Sequence, residues 1–268
     1  MKRVVVLLFA ALLLLVGVTA CGSKNTESGD KSEKSGLSQV KDSGVLRVGF
    51  EGTYPPFNFL NDKKKYDGFD VDISNEIARR LGVKTKFVAT KWDGLIGGLK
   101  ANKFDIIIAQ MTITDERKKS VDFTDPYVVT GSVLVTRKDT SGLTKLEDIK
   151  GKKVGVGAGT TFEKVARSVD GADVHTYKTV NDYIQDLMNG RLDVIINDKL
   201  LMSYNIQKKH LPIKISSDVV NKDTIGMAVK KGHPKFVKAL NKALSDMKRD
   251  GTYNKIYKKW FGTEPLSK

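Results

Sequence analysis

The sequence predicts an α/β protein of two lobes, each a mostly parallel sheet flanked by helices. Short apolar strands alternate with amphipathic helices in the order βαβαβ, which favours parallel strands because each helix carries the chain back along the sheet. The same alternation restarts after Gly151, which indicates a second unit of the same kind. From Leu37 onward about 230 residues remain, enough to bury a substantial core in two lobes.

The first unit contains three predicted strands joined by two predicted helices. The strands are Val45–Phe50, Lys84–Ala89 and Phe104–Ala109, and the helices are Asp70–Leu81 and Trp92–Ala101. In the first helix, Ile73 and Ile77 recur at helical spacing and define an apolar face. Asp70 stands at its start, where an Asp side chain favours the helix by capping it. An extended segment, Val133–Arg137, then leads away from this unit.

The second unit repeats the pattern and is followed by a return of the chain. Its strands are Val154–Val156, Val174–Tyr177 and Val194–Asn197, and its helices are Thr161–Arg167, Val180–Asn189 and Leu200–Lys209. The closing elements are a strand over Thr224–Lys230 and helices over Pro234–Lys248 and Thr252–Phe261. Tyr253, Ile256, Tyr257 and Trp260 share one face of the last helix, which predicts a surface that docks on the core.

The composition excludes several classes of function. The chain has 46 Lys and Arg residues against 31 Asp and Glu, a net charge of +15. Most of this excess is lysine, which usually forms solvated surfaces, and no nucleic-acid recognition motif accompanies it. The single cysteine and three scattered histidines show no metal-ligand spacing. No nucleophile and base stand together either, so we expect no metal, no cofactor and no catalysis.

The N-terminus is typical of an exported protein. Lys2 and Arg3 precede the apolar run Val4–Val16, which is too short to span a bilayer comfortably. The sequence VTAC ending at Cys21 resembles the lipobox of bacterial lipoproteins, in which the cysteine becomes the first residue and carries lipid. This resemblance implies a signal peptide over 1–20 and an anchor on the extracytoplasmic face of the cell membrane. The alternative is cleavage near Ala20 that leaves a free thiol.

Residues 21–36 predict a tether between that anchor and the folded part. The segment has no large apolar side chain, so it cannot bury enough surface to fold and should be disordered. A flexible chain of this length reaches roughly 20 Å on average, which holds a globular body just off a membrane.

The most informative motif is AQMTITDERKKSVDFTDPY, Ala109–Tyr127. A buried strand ends at Gln110, Thr112 then offers a hydroxyl and an N–H, and Arg117 offers a fixed fork of donors that suits a carboxylate. The block closely resembles family 3 extracellular solute-binding proteins, the polar amino-acid receptors of ABC importers. The resemblance implies that Thr112 and Arg117 hold the ligand α-carboxylate, with Gln110 at the cleft beside them.

Two motifs of the second unit add polar groups. In VGVGAGTTFE, the backbone N–H groups of Thr160 and Thr161 are free at a first helical turn and can bind an anion. The resemblance implies that Thr161 donates to the same α-carboxylate. Asp198 ends a buried strand, where a carboxylate needs a partner. It either caps the following helix or, as the resemblance implies, accepts the ligand α-ammonium group.

Aromatic and acidic side chains complete the predicted site. Tyr54 is followed by Pro55 and Pro56, which stiffen the turn at the carboxyl end of the first strand, the edge where α/β sheets place ligands. Relatives carry aromatic residues at the positions of Tyr54 and Trp92, which implies a sandwich around the ligand. Glu51 matches an acidic position in several relatives and either meets the ligand side chain or is a solvated loop carboxylate.

The resemblance also implies the overall organisation. It is that of the type II periplasmic-binding-protein fold, with lobe 1 over 37–130 and 225–268 and lobe 2 over 131–224. A hinge of two crossing segments, near Asp125–Ser132 and Asn221–Gly226, would join them. The implied protein is a monomer that binds an L-amino acid and delivers it to the permease subunits of an ABC importer.

The ligand identity is less sharply indicated. EGTYPPF, KWDG and NDKL look most like cystine receptors, whereas TITDERKK and the C-terminus look equally like glutamine or arginine receptors. We therefore favour cystine, with glutamine or a basic amino acid as the alternative. A remote alternative is a dehydratase on the same fold with Glu51 as general acid, and another is a sensory ligand-binding module.

Overall fold

A computed structural model of the protein describes residues 36–265. The predicted signal peptide, the lipid attachment at Cys21 and all of the predicted tether except Gly36 lie outside these residues. Within the described range, no helix has the length and apolar character needed to cross a membrane.

The described range contains fourteen strands and nine α-helices, numbered in chain order. The strands β1 to β14 are Val45–Phe50, Thr53–Tyr54, Asn58–Leu60, Tyr66–Asp67, Lys84–Ala89, Ile106–Ile107, Val121–Phe123, Val128–Arg137, Lys153–Gly157, Asp173–Tyr177, Val194–Asp198, Ile213–Ile215, Asn221–Ile225 and Ala228–Lys230. The helices α1 to α9 are Leu37–Ser43, Phe69–Leu81, Leu95–Lys100, Asp115–Lys118, Thr161–Arg167, Val180–Met188, Lys199–Lys209, Pro234–Arg249 and Thr252–Phe261. Most of the predicted elements are therefore confirmed to within a few residues at their ends.

The first sheet has the strand order β5-β1-β6-β14-β7. Strand β1 pairs in parallel with β5 and β6, as the βαβαβ pattern predicts. Strand β14 pairs antiparallel with β6 and β7. The sheet is thus mixed, where the sequence predicts a mostly parallel one, because β14 returns from the far end of the chain. A separate small sheet, β2-β3-β4, follows β1 directly.

The second sheet has the order β10-β9-β11-β8-β12, and β13 also pairs with β8. Strands β10, β9 and β11 are parallel, as predicted for the second βαβαβ unit. The long strand β8 is antiparallel to β11, β12 and β13. The second sheet is mixed for the same reason as the first. A strand that follows a crossing between the sheets, here β8, runs antiparallel to the parallel strands of the sheet it joins.

The chain passes between the sheets twice, from β7 to β8 and from β13 to β14. Strands β8 and β13 pair with each other from Ser132 and Asn221 to Val128 and Ile225, so the two crossings support one another. The single strand predicted over Thr224–Lys230 is wrong, because the chain leaves the second sheet after β13 and enters the first as β14. The residue at this change of sheet is a glycine, Gly226, and a Cβ there would lie 2.9 Å from the Ile113 side chain.

Asp70 does not cap helix α2, which corrects the sequence prediction. Gly68 is the N-cap residue, and the Asp70 carboxylate is buried instead. It accepts hydrogen bonds from Asn58 Nδ2 at 2.8 Å, Gln110 Nε2 at 2.7 Å and the Tyr127 hydroxyl at 2.9 Å. Burial raises the pKa of Asp70 to about 6, although the three donors act in the opposite direction. The carboxylate therefore joins α2 to β3 and to two segments beside the cleft described below.

The last helix docks on the core as predicted. Tyr253 and Tyr257 are buried on α9 and meet the Phe69 ring edge-on, with centroid distances of 6.2 and 6.0 Å. Trp260 lies on the same face and donates from Nε1 to Asp72 at 2.7 Å. The apolar face of α9 thus covers the start of α2, on the first-sheet side of the molecule.

Candidate functional site

A cleft opens between residues that follow the two sheets, and concave sites of this kind are where proteins bind small molecules. Seven of the eight predicted ligand residues line it, namely Glu51, Tyr54, Trp92, Gln110, Thr112, Thr161 and Asp198. Arg117 is not among the lining residues, and its guanidinium lies just behind them. The structure therefore brings together residues that are far apart in the sequence, on both sides of one cleft.

One end of the cleft gathers hydrogen-bond donors. The Thr112 and Thr161 hydroxyl oxygens lie 3.3 Å apart, although one follows the first sheet and the other begins α5. Arg117 donates from Nη1 to the Thr112 carbonyl at 2.9 Å and from Nη2 to the Gly159 carbonyl at 3.3 Å. Burial lowers the pKa of Arg117 below its usual value, but an arginine remains protonated at neutral pH. This end therefore suits a carboxylate.

The loop before α5 also contacts the opposite wall. Trp92 Nε1 donates to the Gly159 carbonyl at 3.3 Å, and the Arg117 guanidinium lies over the Trp92 ring at 5.2 Å. Glu116 and Lys164 form an ion pair across the same boundary. Gly159 has φ +71°, a conformation that favours glycine and turns its carbonyl oxygen toward both donors. The two walls are therefore in direct contact at this end.

The turn contradicts one detail of the sequence prediction. The Thr160 N–H is not free, because it donates to the Gly157 carbonyl at 3.4 Å. The Thr160 hydroxyl donates to the same carbonyl at 2.7 Å and accepts from the Glu163 N–H at 3.3 Å. Thr160 is therefore the N-cap residue that ends the turn and begins the helix, as Thr commonly is. Its neighbour Thr161 faces the cleft.

Asp198 occupies the other wall, where it caps the following helix and also lines the cleft. It is the N-cap of α7, and its Oδ1 accepts from the Leu201 N–H at 3.0 Å. The residue is only 5 % exposed, and this burial raises the pKa of Asp198 to about 6. A cationic group in the cleft would stabilise the ionised carboxylate by supplying the missing opposite charge.

Tyr54 extends from the first-sheet side toward Asp198. Its ring stacks on Phe57 at a centroid distance of 5.8 Å, and its hydroxyl donates to Asn197 Oδ1 at 2.8 Å. Asn197 in turn donates to the Tyr183 hydroxyl. Burial raises the pKa of Tyr54 well above its usual value, so the hydroxyl keeps its proton at neutral pH. The side chain is thus a cleft wall held at both its ring and its hydroxyl.

Glu51 is a partly buried acid that lines the cleft and not a solvated loop carboxylate. Burial, with a smaller contribution from the charge of Asp93, raises the pKa of Glu51 to about 7. Its charge also acts on Tyr183, together with burial, to raise the pKa of that hydroxyl. A group that is half-ionised near neutral pH is suited to meet a polar or cationic part of a ligand.

Gln110 forms part of the cleft floor in an unusual backbone conformation. Its φ is +56°, in the left-handed region that residues other than glycine rarely adopt. The amide Nε2 donates to Asp70 and to the Tyr127 hydroxyl, which also accepts from the Gln110 N–H. Among the described residues, Gln110 Oε1 is buried and has no hydrogen-bond partner. The carboxylate of Asp70 therefore holds this strained residue in place from below.

Sequence reasoning did not single out several residues of the cleft. Tyr177, Lys178, Thr179, Tyr183, Asp223 and Ile225 line it without having been predicted. Most of them follow or face the second sheet and belong to no motif, so only the folded arrangement reveals them. The one signal for Asp223 is its place in the predicted crossing segment, directly before a predicted strand. Within residues 36–265, no group of three or more His, Cys, Asp and Glu side chains is arranged to hold a metal ion.

This chain resembles known solute-binding proteins over most of its length. The sequence model of the bacterial extracellular solute-binding proteins, family 3, matches residues 46–263. The L-cystine-binding protein TcyJ of Escherichia coli strain K12 is 40% identical over 230 residues, which cover 85% of this chain and 86% of TcyJ. The L-cystine-binding protein TcyA of Bacillus subtilis strain 168 is 35% identical over 272 residues, with both chains covered in full.

The solved structures show the same fold. An ancestral arginine-binding protein bound to arginine matches with a TM-score of 0.78 and 43% identity, covering 82% of this chain and 99% of that one. This similarity identifies the fold as the type II periplasmic-binding-protein fold. The family and these relatives are solute-binding receptors and not enzymes. The chain belongs to family 3 of the bacterial extracellular solute-binding proteins.

Proposed function

We propose that this protein binds an L-amino acid in the cleft and delivers it to an ABC importer. The observation that carries the proposal is the pairing of two opposite poles across one small cavity. Thr112, Thr161 and Arg117 supply donors for the α-carboxylate, and Asp198 supplies a carboxylate for the α-ammonium group. Fixed charges of both signs select a zwitterion over a simple anion or cation.

The favoured ligand is L-cystine. Two relatives that align with most or all of this chain, and with most or all of their own length, are L-cystine-binding proteins. Tyr54 and Trp92 would enclose the ligand side chain, and Glu51 would meet its polar end. The alternative is a basic amino acid or glutamine, which the arginine-bound ancestral structure favours.

Lobe movement follows from the same arrangement. The proposed lobes are 37–130 with 225–268 and 131–224, joined by the two crossing segments. Because ligand contacts come from both lobes, the ligand binds the closed form more tightly and shifts the population toward it. The importer can then recognise closure. Small-angle scattering with and without the bound amino acid measures this change, and an unaltered radius of gyration would contradict it.

A thermal-shift screen with the twenty amino acids and L-cystine tests the ligand assignment. A ligand that binds the folded state at 100 times its dissociation constant adds about 2.7 kcal/mol to the free energy of unfolding, which raises the melting temperature. We expect the largest shift with L-cystine. A shift with arginine or glutamine alone would replace the assignment, and no shift with any amino acid would reject the proposed function.

The proposed lipid anchor has its own test. Cells that express the full chain are labelled with a fatty-acid analogue, and the membrane fraction is compared with the medium. Wild-type protein should carry label and remain with the membrane, whereas the Cys21→Ser variant should lose both. Ser23→Ala serves as the matched control because it leaves the lipid acceptor intact. Membrane retention of unlabelled Cys21→Ser would contradict the anchor.

A further inference from the structure

A second carboxylate of the cleft, Asp223, belongs to none of the motifs discussed above. It lies on β13, one of the two strands that cross between the sheets, and it is only 2 % exposed. Its Oδ2 accepts a hydrogen bond from the Ser132 hydroxyl at 2.8 Å. Its Oδ1 is buried and has no hydrogen-bond partner among the described residues. One side of this carboxylate is therefore satisfied and the other is not.

Strand register places Asp223 on the same face as Asp198. Asp198 on β11 is opposite Ser132 on β8, and Asp223 on β13 is opposite Thr130 on β8. Ser132 and Thr130 are two residues apart, so their side chains project from the same face, and directly opposed residues share that face too. Both acids line the cleft. The two carboxylates thus lie on either side of β8 and on the same face, and the charge of Asp223 acts on Asp198.

Within the described residues, no basic side chain forms an ion pair with either of these acids. The hydrogen bonds of Arg117 go to the Thr112 and Gly159 carbonyls, although its guanidinium is close enough for the Asp223 charge to act on it. Lys178 is the one basic residue that lines the cleft, and it is exposed. Burying two carboxylates near each other costs free energy when their hydrogen-bond donors are mainly neutral. A bound cation would reduce that cost by supplying the opposite charge.

We infer that Asp223 is a second binding residue for the ligand ammonium group, acting together with Asp198. The inference rests on the proposed function, because an amino acid supplies the missing cation. An ammonium group carries three donors, so it can satisfy Asp198 and the unpartnered Asp223 Oδ1 at the same time. The ligand would then contact the second sheet and a crossing strand through one atom, which ties its binding to the segment about which the lobes move.

The test measures the binding of three amino acids and of their counterparts without the α-amino group. The pairs are L-cystine with 3,3′-dithiodipropionic acid, L-glutamine with 4-carbamoylbutanoic acid, and L-arginine with 5-guanidinopentanoic acid. Isothermal titration is performed on wild type, Asp223→Asn and Asp170→Asn. Asn keeps an acceptor for Ser132 but removes the charge. Asp170 is exposed in the turn after α5, outside the cleft and both crossing segments, so its substitution removes an equal charge away from the site.

We expect Asp223→Asn to lower the affinity for the amino acid that wild type binds by about tenfold or more, because a charge-assisted hydrogen bond is lost. Asp170→Asn should bind as wild type does. The deamino counterpart should bind wild type and Asp223→Asn equally, or be equally undetectable with both. Melting of Asp223→Asn at or above the wild-type temperature shows that the fold is intact, since the variant no longer buries this charge.

Two results would overturn the inference. One is wild-type affinity of Asp223→Asn for the amino acid. The other is an equal loss of affinity for the amino acid and for its deamino counterpart. That result would assign Asp223 a structural role in holding β13 against β8. Both leave the proposed function standing, because wild type still binds an amino acid. If wild type binds no amino acid in the thermal-shift screen either, the proposed function fails and this inference fails with it.

Discussion

The Tyr54 hydroxyl donates a hydrogen bond to Asn197 Oδ1 at 2.8 Å, and this bond joins the small sheet after β1 to the end of β11. The two residues are 143 positions apart in the chain. The bond lies beside Asp198, at the proposed ammonium end of the cleft. It therefore links the position of an aromatic wall to the position of the acid that faces it.

Replacing Tyr54 with Phe should weaken amino-acid binding modestly. The ring and its stacking on Phe57 remain, but the hydrogen bond between the two walls is lost, which is worth about 0.5–1.5 kcal/mol or roughly 2- to 12-fold in affinity. Isothermal titration with L-cystine measures the change. Tyr66→Phe removes a hydroxyl outside the cleft and should have no effect. Wild-type affinity in Tyr54→Phe would show that the bond plays no part in closure.

Replacing Arg117 with Ala should abolish measurable binding of every amino acid. The guanidinium is the only proposed charged partner of the α-carboxylate, and its loss should cost about 3 kcal/mol or more, roughly 100-fold in affinity. Arg117→Lys keeps the charge without the fork and should show an intermediate loss. Arg79→Ala is the matched control, since Arg79 pairs with Glu76 on the surface of α2. Thermal shifts that persist in Arg117→Ala would reject the carboxylate assignment.

Replacing Asp198 with Asn should weaken binding and yet stabilise the protein without ligand near neutral pH. The folded pKa of about 6 lies above the ordinary value of 3.8, so the folded protein binds more protons than the unfolded chain between these pH values. The wild-type free energy of unfolding therefore falls as the pH rises through this window. Asn is uncharged and still caps α7, so it avoids that loss.

Urea unfolding at pH 4 and pH 7.5 measures this effect. The difference in the free energy of unfolding between Asp198→Asn and wild type should be near zero at pH 4 and of order 2 kcal/mol in favour of the variant at pH 7.5. Asp42→Asn, on the exposed side of α1, should show no such difference. Lower stability of Asp198→Asn at pH 7.5 would contradict this prediction. It would mean that the negative charge stabilises the helix cap by more free energy than its burial costs.

Two acids in the first turn of α2, Asp70 and Asp72, should differ sharply in their contribution to the free energy of unfolding. Asp70→Ala leaves the buried donors of Asn58, Gln110 and Tyr127 without their acceptor, which should cost about 3 kcal/mol or more. Asp72→Ala, two residues later, removes a partly exposed acceptor of Lys259 and Trp260 and should cost about 1 kcal/mol. Urea unfolding of both variants decides this. Equal losses would show that the Asp70 network is not a special support of the cleft floor.

Much of the fold is readable from local pattern. Helix α5 begins and ends at the predicted residues, and strands β1 and β5 match their predicted bounds, because apolar periodicity and capping residues act over short distances. The short strands β2 to β4 and β7 escape prediction, since two or three residues carry too little pattern. The division of the returning segment into β13 and β14 escapes it as well, because both pieces look equally strand-forming.

The candidate site divides in the same way. Thr112 and Arg117 lie in one contiguous motif, and Asp198 ends a recognisable strand, so the order of residues along the chain already indicates their chemistry. From the sequence pattern, Asp70 also looks like an ordinary helix cap. In the structure, its carboxylate instead accepts hydrogen bonds from Gln110 and Tyr127. Asp223 has no motif at all, because its significance depends on a neighbour on another strand.

The sequence by itself determined the class of the protein, the alternation of strands and helices, and seven of the residues that line the cleft. These properties depend on side-chain type and on neighbours a few positions away. Tertiary structure alone decided which acids share a face, which carbonyl joins Trp92 to Arg117, and that Asp223 Oδ1 is buried without a hydrogen-bond partner among the described residues. Those relationships arise between strands that are distant in the chain. There the side chains are buried, so each charge without a partner costs free energy.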